Sequence, residues 1–303
     1  MDMIFEKARQ FVYRNARPLD LARWQYHFEG GSREAVLNAL SCYQNPDGGF
    51  GNAIEPDFWN PASTPVGCWA ASNVLWELAF DDPSHPFVQG ILRYLDSGAD
   101  FDGGRWYNTV PTNNDHPHAI WWTCPNDTGI PSDNPTAALA GFILRFAEKG
   151  SALYRKGRRI AEESIGRYLD GAEPEMHLIP CYLQLLSYAK LEGETLPGAD
   201  RLQERLLADI DTLLPDDPER WKTEYLPKPS YFIVSPDSPI PARYPALLQA
   251  ECAFVKNAQL SDGSYPVTWD WATGYPEFSV AANWWKSDLI IKNLLLLRRA
   301  EKL

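Results

Sequence analysis

The feature that most narrows what this chain can fold into is a turn that comes back. Gln44-Asn45-Pro46-Asp47-Gly48-Gly49-Phe50-Gly51 is echoed by Asp102-Gly103-Gly104-Arg105-Trp106 and by Gln259-Leu260-Ser261-Asp262-Gly263-Ser264-Tyr265. An Asp can accept a hydrogen bond from backbone two residues on, and a Gly reaches positive φ at no steric cost, so Asp-Gly followed by an aromatic residue specifies a tight turn with a hydrophobic anchor. Apolar positions at helical spacing dominate the rest of the chain. A turn reused between helices points to a closed or stacked helical array.

On these residues the chain resembles the terpene cyclase and protein prenyltransferase superfamily, whose turn motif reads Gln-x-x-Asp-Gly-Gly-Phe-Gly. The first copy matches in full; the second keeps Asp102, Gly103, Gly104 and Trp106 without the glutamine; the third keeps Gln259, Asp262 and Gly263. His116-Pro117-His118-Ala119-Ile120-Trp121-Trp122 and Asn134-Pro135-Thr136-Ala137 are similar to segments of bacterial members of that superfamily with no assigned activity. The resemblance implies an all-α fold, an (α/α) toroid or barrel of five to six helical hairpins. It implies little about reaction, because the motif steadies helix junctions in that family.

Length alone would suggest two domains for 303 residues, but a helical array keeps one continuous core, so a single toroid over residues 1–303 is expected. The helices predicted are 4–17, 19–28, one capped by Ser32, one from Ser63 or Thr64 to Ala79, one from Asp82-Pro83-Ser84 to Gly98, then 136–149, 152–169, 175–191, 199–214, 244–259 and 281–299. Tyr231-Phe232-Ile233-Val234 is the best strand candidate. Two irregular stretches stand out, 100–134 and the proline-rich 215–243. Loops of that length in a compact protein usually serve function, and regular alternation of helices would gather them around one mouth of the barrel.

The formal charge of −12, from 40 acidic and 28 basic residues, disfavours nucleic acid and anionic membrane surfaces as partners. Asp2, Glu6 and Lys7 interrupt any apolar leader, and no run suits a membrane span, so a cytoplasmic protein without integral membrane association is expected. The five Cys, at 42, 68, 124, 181 and 252, sit mostly in helical patterns and read as free buried thiols. There is no CxxC, HExxH or Asp-x-Cys, and two His at 116 and 118 are too few ligands, so neither metal nor cofactor is expected.

For chemistry, Glu55-Pro56-Asp57 stands first. The pair follows the best-defined turn, and Pro56 keeps the two carboxylates off a common helix face. A carboxyl desolvated among aromatic rings is raised in pKa and can act as an acid while its neighbour stays ionised. His118 is the candidate assistant. Asn52, His116, Trp121, Trp122, Asn134, Tyr182 and Trp284 are candidates to bind substrate, with Asn134 also a helix cap and His177 a second residue that could look into the barrel. Trp106, Tyr107, Trp269, Trp271, Tyr275 and Trp285 join them as rings that fall in or beside loops, able to stack on a sugar, line an apolar tunnel or pack for stability. Missing Asp-x-Asp-Asp and DDxxD motifs, and scattered cations only, disfavour a prenyl diphosphate. Three classes remain open at this point: an enzyme using carboxylate acid-base chemistry on a neutral substrate in an aromatic mouth, a glycan-active (α/α) barrel hydrolase or lyase, and a binding or scaffold protein without catalysis.

Overall fold

A computed structural model describes residues 2–300. It is an all-α protein with twelve α-helices among the described residues: α1 (Asp2–Asn15), α2 (Pro18–Phe28), α3 (Arg33–Leu40), α4 (Pro65–Glu77), α5 (Pro86–Ser97), α6 (Asp133–Phe146), α7 (Ala152–Leu169), α8 (Leu178–Leu191), α9 (Ala199–Leu213), α10 (Ile240–Arg243), α11 (Pro245–Ala258) and α12 (Phe278–Ala300). The helix starts follow capping chemistry. Ser32 Oγ accepts from Ala35 N at 3.1 Å, and Thr64 Oγ1 accepts from Gly67 N at 2.9 Å with Pro65 in the first turn.

Helix burial separates an outer from an inner course. α1, α5, α7 and α9 bury one stripe and show the other to water, as outer helices must, whereas α6 is buried nearly all round and α8 on most sides. Inner α2 packs on α12, α4 on α6, and α6 on α8. Arg23 and His27 of α2 reach Glu77 of α4 and complete that side of the ring. One inner position has no α-helix: the 3₁₀ turn Pro229–Phe232 bridges α8 to α11, with Phe232 fully buried. The proline-rich stretch therefore replaces an inner helix, giving five helix pairs and one irregular pair.

The three Asp-Gly turns follow outer helices α3, α5 and α11 and lead inward. Asp47, Asp102 and Asp262 each accept, through Oδ1, the backbone N–H two residues on, at 2.9, 2.8 and 2.9 Å. Gln44 and Gln259 both donate from Nε2 to the carbonyl four residues later, Gly48 and Gly263, at 3.0 and 3.1 Å. Gly48 and Gly263 share a φ of 93° and 92°, the left-handed region that favours Gly. A Cβ on Gly263 would also collide with the Lys7 carbonyl of α1, so this turn locks the chain's two ends together.

Some local expectations need correction. α5 starts at Pro86 with His85 as its cap, because Asp82 closes its own turn on Ser84 (Oδ1 to N, 2.9 Å) and does not feed a helix. Residues 231–234 are not a strand: Ser230 is pulled onto Glu251 of α11 and the backbone curls into the 3₁₀ turn. The strands are β1 (Tyr107–Thr109) and β2 (Ile130–Pro131), an antiparallel pair inside the 98–132 loop. Asn134 does not cap α6; Ser132 does, accepting from Asn134 N at 3.1 Å, and Asn134 itself has non-helical φ/ψ.

Candidate active site at the loop mouth

The long inward connections are laced together by backbone hydrogen bonds. Trp59 N donates to Pro117 O and Ala119 N to Asp57 O, both at 2.8 Å, so 57–59 and 117–119 run as an antiparallel pair. Ile120 N then reaches Trp271 O at 2.8 Å, and Thr273 Oγ1 reaches His118 O at 2.8 Å. Three loops, each leaving one of the Asp-Gly turns, thus build one mouth around Glu55 and Asp57.

Asp57 is buried, and its Oδ1 accepts two indole N–H groups, Trp271 Nε1 at 2.7 Å and Trp285 Nε1 at 2.8 Å. The Trp269 indole also favours the anion, although its Nε1, hidden from water, completes no hydrogen bond of normal geometry. Among the described residues no cation forms an ion pair with either carboxylate; Lys292 and Arg17, the cations Glu55 feels, pair with Asp288 and Asp20. Burial raises the Asp57 carboxyl and the three indoles work against that rise. Glu55 has no indole donor, only the Asp57 N–H at 3.4 Å: burial first, and the neighbouring Asp57 charge second, push its carboxyl up to about 8. The two indole donors favour the charge on Asp57, and Glu55 is the carboxyl of the pair that keeps its proton toward neutral pH.

The presenting loop is held from below. Residues Asn52 and Ala53 have φ of 56° and 60°, an uncommon conformation for non-glycine residues. Buried Arg17 donates from Nη1 to the carbonyls of Ala53 and Ile54 at 2.9 and 3.1 Å, directly before Glu55. Its guanidinium also bonds Asp20 and lies over the Trp284 ring, 5.2 Å from the centroid.

Across the mouth stands a run of aromatic rings. Tyr231 accepts or donates at His177 Nδ1 across 2.8 Å; His177 stacks on Tyr225 at 6.2 Å; Tyr225 meets Trp269 at 5.8 Å, and Trp269 meets Trp285 at 5.5 Å. Tyr225 and Tyr231 are 53% and 40% exposed. Burial nevertheless pushes both phenols up, with Glu55 among the charges each feels. Tyr225 and Tyr231 thus present ring surface to solvent on the side of the mouth where Trp269 and Trp285 meet Asp57. Two other surface hollows, of about 260 Å³ between α1 and the Asp262 turn and about 470 Å³ within 111–127, are not lined by Glu55 or Asp57.

Several expected site residues serve elsewhere. His118 is buried, with Nδ1 on the His116 carbonyl at 2.6 Å and Nε2 on Thr123 Oγ1 at 3.0 Å. A carbonyl cannot donate, so Nδ1 carries the proton and Nε2 accepts from the hydroxyl; both nitrogens are occupied within the loop, and His118 is an organiser rather than a proton shuttle. His116 contributes its carbonyl to that arrangement. Trp122 packs on Phe58 at 5.0 Å and Trp121 is exposed on the outside of the 120–122 turn. Asn52 is exposed and bonds Asn45. Asn134 is tied to Asn108 and Cys181. Tyr182 is fully buried and points away from the mouth, to the Ser164 carbonyl of α7 at 3.0 Å. Trp284 stacks on Trp59 at 5.1 Å and floors the loop. Conversely, Tyr225 and Tyr231 lie in the irregular 215–243 stretch, whose path no periodicity reveals, and nothing in the sequence joined them to His177.

Among the described residues no three His, Cys, Asp or Glu side chains converge so as to hold a metal ion, and no helix is long and apolar enough to cross a membrane. No family model matches the sequence, and neither curated proteins nor solved structures give a match.

Proposed function

We propose that this protein is an enzyme performing acid-base chemistry on a neutral substrate at the aromatic mouth, with Glu55 as the acid and Asp57 as its ionised partner. The observation that carries the reading is the split between two neighbouring carboxyls: half-buried Glu55, raised to about 8 with only a long 3.4 Å contact from Asp57 N, and buried Asp57, held by two indole N–H groups. That arrangement keeps a proton available at neutral pH beside a fixed negative charge, which suits protonation of a substrate atom followed by stabilisation of the positive charge that develops. The recurrent turn and the ring of helix pairs support placement with the terpene cyclase-like superfamily. A purely structural scaffold is less well supported, because a scaffold has no use for a perturbed, cation-free carboxyl pair.

The test is turnover across neutral oligosaccharides and isoprenoid alcohols with wild type, Glu55→Gln and Asp57→Asn. Loss of about 100-fold or more in Glu55→Gln, with the fold intact, is expected for a general acid. Equal turnover in wild type and both variants would end the proposal.

A further inference from the structure

Resting on that reading, we infer that the Tyr231–His177–Tyr225–Trp269 wall is a binding surface for neutral saccharide, and that the substrate presented to Glu55 and Asp57 is a chain of uncharged sugar rings. The wall is wet by construction. Tyr225 and Tyr231 keep 53% and 40% of their surface accessible, whereas a hydrocarbon substrate is best served by rings sealed from water. The rings are also consecutive, each within 6.2 Å of the next. The rings are steeply turned against one another, at 81° and 67° on either side of the stacked His177–Tyr225 pair, so it is the exposed Tyr225 and Tyr231 that offer ring surface to the C–H faces of sugar residues, with phenol, imidazole and carboxyl groups at hand for hydroxyls.

Charge excludes the competing ligand classes. The two cations that act on Glu55 are already engaged: Lys292 is paired with Asp288 at 2.8 Å, and Arg17 with Asp20 at 2.8 Å. Phosphorylated, sulfated and uronic ligands are therefore disfavoured on a protein of net charge −12. An organic cation would be attracted by ring faces and by Asp57, but it would drive Glu55 to ionise, and binding would release a proton. A neutral polyol needs neither change. It can accept the Glu55 proton in a hydrogen bond and donate to the Asp57 carboxylate.

The experiment is titration of the full chain with cellohexaose, xylohexaose, maltohexaose and chitohexaose, read by calorimetry and saturation-transfer NMR, with farnesol and benzyltrimethylammonium alongside. Calorimetry in two buffers of different ionisation enthalpy counts protons released. At least one hexaose is expected to bind without proton release. Tyr225→Ala should weaken it about tenfold, the scale of one aromatic stacking contact, while Tyr225→Phe keeps most of the affinity. Binding of farnesol or of the ammonium probe with no hexaose bound would overturn the inference, as would a hexaose affinity untouched by Tyr225→Ala. The two readings fail separately. A hexaose that binds but is turned over equally by wild type and Glu55→Gln keeps the saccharide surface and removes the acid; an isoprenoid turned over only with Glu55 present keeps the acid and removes the saccharide.

Discussion

Two clusters of buried carboxylates lie within the same ring of helices and behave in opposite ways. Beneath the mouth, Arg23 is shared by Asp20 (3.1 Å), Glu77 (bonded through both Nε and Nη2) and Asp288 (2.9 Å), while His27 approaches Glu77 at 2.6 Å and Arg17 grips Asp20. Burial opposes ionisation there too, yet the Arg23 charge and its hydrogen bonds hold Glu77 down at about 2 and, together with Lys292, hold Asp288 well below the usual carboxylate range. At the mouth no cation bonds the pair directly: indole N–H groups serve Asp57, and Glu55, pushed by burial and then by the Asp57 charge, rises to about 8. Depth is therefore not what separates the two clusters. Full charges beneath the mouth make ion pairs that tie α2, α4 and α12 together; dipoles at the mouth leave a carboxyl unneutralised and hence able to exchange a proton.

The comparison is broken most directly by removing the shared cation. Arg23→Met leaves Asp20, Glu77 and Asp288 facing one another without their common partner, and should lower stability by about 3–5 kcal/mol in chemical denaturation at pH 7. Glu55→Gln should not lower stability at that pH and should raise it slightly, because Gln stays neutral in both states while Glu55 ionises on unfolding. Comparable losses in the two variants would mean that both clusters are structural.

The indole donors come next in size. Trp285→Phe removes one of two N–H bonds to a buried anion, each worth about 1.5–3 kcal/mol when the acceptor is charged. Trp271→Phe should lose as much and add the cost of a gap, since Trp271 is 1% exposed. In both variants carboxyl ¹³C NMR should find Asp57 titrating at higher pH than in the wild type. An unchanged Asp57 midpoint would show that the indoles shape the loop without setting its charge.

The pH dependence has opposite signs in the two regions. Glu55 has a folded pKa above its unfolded value, so the native state holds the extra proton: its contribution is complete below about pH 4.5, shrinks as pH rises, and is gone above about 8. Glu77 and Asp288 are depressed, so their contribution is present above about pH 4.5 and lost as pH falls through their folded values. Stability should consequently fall on both sides of a mildly acidic optimum. Glu55 keeps some contact with solvent, which limits the alkaline decline to roughly 1–2 kcal/mol. Glu55→Gln should flatten that decline and leave the acid limb unchanged; a variant that retains the full alkaline decline would assign it elsewhere.

Local chemistry was readable in the chain, and long-range chemistry was not. The Asp-Gly turns and the caps at Ser32 and Thr64 are written in adjacent residues, and the structure uses them as expected. Arg17, Asp20 and Arg23 share a helical spacing, but their partners Glu77 and Asp288 lie 54 and 265 residues from Arg23. Nothing in a single sequence marks that closure. Trp271 and Trp285 were visible as loop-side aromatics without a direction for their N–H groups. His118 illustrates the converse: its residue type suggested proton transfer, and only the positions of the His116 carbonyl and Thr123 showed both nitrogens in use.

Arg17 belongs to both regions and gives the finest test of how separate they are. One edge of its guanidinium serves Asp20; Nη1 serves the carbonyls of Ala53 and Ile54, and its charge favours ionised Glu55. Arg17→Lys keeps the cation but not the fork, so it should cost on the order of 1 kcal/mol from the carbonyl bonds while Glu55 stays close to its native midpoint. Arg17→Gln removes the cation as well, which should move the Glu55 midpoint further up, by less than one pH unit because burial and Asp57 remain the larger causes. The two variants, followed by Glu55 carboxyl NMR and by denaturation, separate holding from tuning. A Glu55 midpoint that is lower in Arg17→Gln than in Arg17→Lys would contradict the assignment of Arg17 as the link between the paired cluster and the proton-bearing one.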